Sequence, residues 1–80
     1  MSDKMGLTIP QSEVYRFLRV YYTEYGYFPK QKEIAEGVVQ GEQLIPRRNS
    51  TASIHRILTQ LVTKGWIART PGGTRALKFL

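Results

Sequence analysis

Eighty residues with no cysteine make one small domain, without room for a large enclosed active site and without disulfides, a thiol nucleophile or thiolate metal ligands. The net charge is +6, and it is unevenly spread: residues 1–42 carry −1 and residues 43–80 carry +7, with no Asp or Glu after Glu42. Such a field excludes little by itself but points to a polyanionic partner. No apolar run is long enough to span a bilayer and the start lacks a signal-peptide core, so the expectation is a soluble, cytoplasmic protein.

Residues 1–7 are expected to form a flexible lead-in. Thr8-Ile9-Pro10-Gln11 reads as a helix start, with Thr8 as cap, Gln11 as capping-box partner and Pro10 in the first turn. Val14, Phe17, Leu18, Tyr21 and Tyr25 then recur at helical period, and Gly26 suits a C′ position, so the first helix is predicted over 9–25. Pro29 favours extended backbone at Phe28. A second helix is predicted over 30–39, with Ile34, Ala35 and Val38 on its apolar side and Gly37 as a weak point. Residues 40–49 carry breakers and no period and are expected to be an extended loop.

Asn49 or Ser50 is expected to cap a third helix over 51–64. Its stripe of Ile54, Ile57, Leu58, Leu61 and Val62 is unbroken, and Lys64-Gly65 closes it. Trp66–Arg69 and Arg75–Leu80 read as two strands of a hairpin, with Leu77 and Phe79 on one face and a turn at 70–74. The predicted fold is mainly α with a small β-hairpin. It is a single winged helix-turn-helix domain over 1–80, three helices plus a wing.

That order supplies a helix for the major groove of duplex DNA. At ~100° per residue, the face of the third helix opposite its apolar stripe carries Ala52, Arg56, Thr59, Gln60 and Thr63, without any acid. Arg56 is the first candidate base reader, since its fork matches guanine O6 and N7; the alternative is a solvated arginine. His55 stands at the edge of this face, as a donor to base or phosphate or as a boundary histidine. Ala52 and Ser53 are small enough to allow close approach. Asn49 and Ser50 stand where a helix N-terminus can hold phosphate, with Arg47 and Arg48 upstream as backbone contacts or as a solvated pair. On the wing, Arg69, Gly72, Gly73, Arg75 and Lys78 are candidates for the backbone or the minor groove, or for an edge strand kept soluble by charge. Tyr15 and Tyr22 share a flank of the first helix, where they either pack at the core boundary or offer a surface for a homodimer or another protein. No catalytic constellation, cofactor motif or metal-ligand spacing is present, so a non-enzyme without cofactor or metal is expected.

The residues also carry a family resemblance. Leu7-Thr8…Gln11…Glu13-Val14…Phe17-Leu18, then Tyr25-Gly26-Tyr27-Phe28-Pro29 and Lys32-Glu33-Ile34-Ala35, followed by Ser50, Leu58, Leu61, Lys64-Gly65-Trp66-Ile67 and Leu77…Leu80, resemble the N-terminal DNA-binding domain of LexA-type SOS repressors. The resemblance covers residues 7–80. It implies a winged helix-turn-helix repressor domain whose base-contacting positions fall on Ser50, Ala52, Ser53, His55 and Arg56. This chain departs from the family, which has Asn and two Glu where Ala52, His55 and Arg56 stand, so a different operator is expected. Lys30 replaces the family's Thr or Ser cap, and about eight extra positions lie around 40–47. The family's C-terminal self-cleaving domain, which also supplies its dimer contacts, is missing, and no self-cleavage is expected. The expected function is sequence-specific binding of double-stranded DNA by a transcriptional regulator. The alternatives are a small protein-interaction module, docking on a polymerase or replication protein and phage-encoded, or a nucleoid-type binder without sequence preference.

Overall fold

The computed structural model describes residues 6–72 and 76–80. In chain order the elements are α1 (Ile9–Tyr25), α2 (Gln31–Glu36), β1 (Val38–Val39), β2 (Glu42–Gln43), α3 (Ala52–Thr63), β3 (Ile67–Arg69) and β4 (Leu77–Phe79).

α1 has the expected bounds because both of its ends are written locally. Thr8 Oγ1 accepts from Gln11 N–H at 3.4 Å, and Gln11 Oε1 accepts from Thr8 N–H at 3.1 Å, which closes the capping box. At the other end Gly26 takes the left-handed conformation and donates to the Tyr22 carbonyl. The lead-in is tied at its last two residues: the Gly6 carbonyl accepts from Lys64 Nζ at 3.0 Å, and Leu7 packs on the core. Met1 to Met5 lie outside the described residues.

α2 is shorter than the sequence pattern suggests. It ends at Glu36, not at Val39, and residues 38–43, expected as the end of that helix and the start of the loop, form a tight antiparallel hairpin. The cause is Gly37, whose φ of 71° stops the helix and turns the chain. Gln40 and Gly41 then both adopt positive φ, 50° and 79°, as a two-residue type I′ hairpin turn requires. The hairpin is stitched down. Leu44 N–H donates to the Gly37 carbonyl at 2.8 Å, and Gln43 Nε2 donates to the carbonyls of Glu36 and Ile45. Gln40 N–H donates to the Tyr25 hydroxyl on α1. Only residues 44–51 remain as irregular connection, and Arg48 N–H fastens that to the Ala35 carbonyl at 2.8 Å. At its start α2 has half a capping box: Glu33 Oε1 accepts from Lys30 N–H at 2.7 Å, while a lysine side chain has no acceptor to return.

α3 begins one residue later than expected, with Thr51 as N-cap. Ser50 still contributes, its Oγ accepting from Ala52 N–H at 3.1 Å. The end is a Schellman motif, Trp66 N–H to the Leu61 carbonyl and Gly65 N–H to the Val62 carbonyl. β3 and β4 pair antiparallel in the register Ile67↔Phe79, Ala68↔Lys78 and Arg69↔Leu77. They are the wing. Its predicted tip residues Gly73 and Arg75 lie outside the described residues.

The core lies where α1, α2 and α3 meet over β3. Val14, Phe17, Leu18, Ile34, Ile54, Leu61 and Ile67 are fully buried there. Each such side chain contributes about 1.5–3 kcal/mol by leaving water. Phe79 pins the wing to α1, its ring meeting Tyr15, Tyr22 and Phe28 at centroid distances of 5.8, 5.7 and 4.7 Å. The Arg19 guanidinium lies 4.2 Å from the centroid of the same ring. Tyr15 also meets Trp66 edge-on. The Tyr15 and Tyr22 flank is thus packed against the wing at the core boundary. Among the described residues no helix is long and apolar enough to cross a membrane.

Candidate nucleic-acid interface

α3 turns Ile54, Ile57, Leu58 and Leu61 into the core and leaves Ala52, His55, Arg56, Thr59, Gln60 and Thr63 exposed. Ser53 is half-buried beside them. The exposed face carries no carboxylate, so nothing on it opposes a phosphate. Each of its flanks is bordered by another element.

On one flank stand α2 and the wing. Gln31 Nε2 lies 3.5 Å from His55 Nδ1, which joins the start of α2 to the exposed face. Arg69 Nη2 donates to Thr59 Oγ1 at 3.1 Å, and Thr59 Oγ1 donates to the His55 carbonyl at 3.0 Å. Arg69 leaves the wing at the end of β3, yet its guanidinium rests on α3. A hollow of about 230 Å³ opens here, lined by Pro29, Gln31, Arg69 and Gly72 among others.

The other flank faces the start of α1. A hollow of about 390 Å³ is lined by Thr8, Pro10, Gln11, Arg48, Ser53, Arg56, Ile57 and Gln60. Gln11 is the hub of this side. It is buried, its Nε2 donates to Gln60 Oε1 at 2.5 Å, and its Oε1 accepts from Lys64 Nζ at 2.6 Å. Gln60 is therefore held by its oxygen instead of swinging free.

Ahead of α3, Arg47, Arg48, Asn49 and Ser50 line a hollow of about 190 Å³ together with Lys32 and Glu36. Arg47, Asn49 and Ser50 are exposed; Arg48 is half-buried. The structure thus gathers Arg47, Arg48, Asn49, Ser50, Ala52, Ser53, His55, Arg56, Thr59, Gln60, Arg69 and Gly72 on and around one helix. It sets Lys78 apart: that side chain borders a hollow with Tyr22, Tyr27, Phe28, Leu77 and Phe79, none of which belongs to α3.

Comparison with known proteins gives the family. The family model described as LexA DNA binding domain matches residues 4–76. The chain belongs to the LexA DNA-binding domain family. Its relatives in that family include the LexA repressor of Geobacter metallireducens, 38% identical over 74 residues, which are 92% of this chain and 33% of that protein. The LexA repressor of Caldicellulosiruptor saccharolyticus is 34% identical over 77 residues, 96% of this chain and 34% of its own. That of Staphylococcus carnosus is 32% identical over 74 residues, 92% of this chain and 32% of its own. The chain spans about a third of the length of the LexA repressors it matches.

Sequence reasoning missed Gln11 as a member of this LexA-family surface, and Gln31 and Lys32 beside it. A signal for Gln11 exists: it precedes Val14, Leu18 and Tyr21 at spacings that put it on the buried stripe of α1. A polar residue on such a stripe must find buried partners.

Proposed function

We propose that this domain binds double-stranded DNA in a sequence-specific way and is the operator-reading part of a transcriptional repressor. α3 enters the major groove, with Ala52, Ser53, His55 and Arg56 on base edges. Arg47, Asn49 and Ser50 meet the backbone ahead of it, and Arg69 follows the groove edge from the wing. The observation that carries this reading is the acid-free exposed face of α3, flanked on both sides by arginine-lined hollows. Membership of the LexA DNA-binding domain family supports it independently.

The differences at Ala52, His55 and Arg56 give this chain an operator of its own. Selection of duplexes from a random pool defines that operator. Binding of the selected duplex weakens with salt, by ~0.9 in the log–log slope for each phosphate neutralised. Arg56→Ala removes about 1–3 kcal/mol of preference for the selected over a scrambled duplex. Unchanged preference in that variant refutes base reading by Arg56, and salt-insensitive binding, or none, refutes the DNA reading altogether.

A further inference from the structure

Arg47 and Arg48 are neighbours in sequence but not in role. Arg47 is exposed; Arg48 is half-buried, tied through its backbone to α2, and its Nη1 is buried without a hydrogen-bond partner among the described residues. A buried guanidinium nitrogen left unpaired costs stability. Arg48 lines both the hollow ahead of α3 and the hollow between the starts of α1 and α3, which Arg56 also lines. The other polar groups of that hollow present donors. The Gln60 oxygen is taken by Gln11, which turns the Gln60 NH2 group away from that bond. Ser53 and Thr8 each bring a hydroxyl, and the Thr8 oxygen already accepts from Gln11 N–H, leaving its O–H to donate. Lys64 stands one hydrogen bond behind, on Gln11. Among the described residues no carboxylate lines the hollow.

We infer that this hollow is a phosphate site, with Arg48 at its base and Gln60 and Ser53 at its walls, and that it holds one backbone phosphate of bound DNA. This rests on the DNA reading above and extends the interface to the start of α1, on the side of α3 opposite the wing. Arg56 lines the hollow and is exposed, so its fork remains available to a base while its charge adds to the field. Arg48 directly follows the stretch around 40–47 that this chain has in addition to the family pattern.

The test uses the whole chain and Arg48→Met, which keeps the apolar stem and removes the charge. Binding to the selected duplex and to a scrambled duplex is measured by fluorescence anisotropy across a salt series. Methylphosphonate is then placed at each backbone position in turn. Arg48→Met is expected to bind both duplexes about ten- to a hundredfold more weakly, with a salt slope lower by about 1. One methylphosphonate position is expected to weaken the wild type and leave Arg48→Met unaffected. The melting temperature is expected to stay level or rise, as relief of an unpaired buried donor requires; a role in folding alone lowers it and leaves the methylphosphonate pattern unchanged. Wild-type affinity and slope in Arg48→Met overturn the site while the DNA reading stands. Failure of the wild type to bind any duplex overturns the DNA reading instead. Saturable binding of inorganic phosphate, with DNA binding indifferent to Arg48→Met, moves the ligand to a free anion and overturns the assignment.

Discussion

Gly37→Ala tests whether the α2–α3 connection is as rigid as its hydrogen bonds imply. A Cβ built there lies 2.5 Å from the Ile45 carbonyl oxygen, 2.9 Å from Ile45 Cγ1 and 2.9 Å from Gln43 Nε2. The carbonyl cannot retreat cheaply, because Gln43 Nε2 holds it at 2.6 Å and the Leu44 N–H bond fixes the chain next to it. Two costs add. Left-handed backbone costs an alanine about 1–2 kcal/mol, and forcing a methyl into a filled space costs about 1–3 kcal/mol. The expected loss is roughly 2–5 kcal/mol, against a total of about 4–12 kcal/mol for a domain of this size. Gly26→Ala is the reference: φ is 79° there too, but nothing lies within 4 Å of the added Cβ, so only the backbone cost of about 1–2 kcal/mol applies. Urea unfolding followed by the fluorescence of Trp66, the single tryptophan, reads both variants. Equal destabilisation by the two substitutions refutes the rigid contact, since it means that the Ile45 segment yields at no cost.

Gln11→Ala should cost about 1–2 kcal/mol of stability by removing its side of the α1 capping box and its bonds to Gln60 and Lys64, measured by the same unfolding assay; a neutral effect refutes the hub. Thr59→Val and Arg69→Ala should couple in DNA affinity by about 0.5–3 kcal/mol in a double-mutant cycle, whereas additive losses mean that Arg69 works apart from α3. Phe79→Ala removes a half-buried ring that meets three others, so a loss of about 2–3 kcal/mol, below the range for a fully buried Phe, should accompany weaker DNA binding as the wing loses its anchor; unfolding and anisotropy together check this, and full affinity in the variant separates wing docking from binding.

What could be read in the sequence was what nearby residues decide. Thr8 with Gln11, Gly26, and the stripe from Ile54 to Val62 each set their element within a turn or two, and all three helices and the wing follow from such signals. The hairpin at 38–43 escaped because two-residue strands are too short to show a period, and because Gly37 reads equally as a weak helix position or as its end. Gly37 and Gly41 bracketing Val38-Val39 was the available clue. On the interface, the outward face of α3 was legible from its own periodicity. The placement of Arg69 on Thr59, the capture of Gln60 by Gln11 and the unequal burial of Arg47 and Arg48 were not. Each depends on partners brought together only by the tertiary fold, 10 residues apart for Arg69 and Thr59 and 49 for Gln11 and Gln60.

The hairpin also bears on how fast a complex forms. A floppy connection ahead of α3 would have to be ordered as DNA arrives, slowing docking and weakening the complex by the entropy lost. Here the bonds from Gly37, Gln43 and Arg48 fix that connection before any encounter. On the DNA reading proposed above, association needs only diffusion, steering by the basic half of the chain and rigid docking, and differences among operators are expected to fall on how long the domain stays bound.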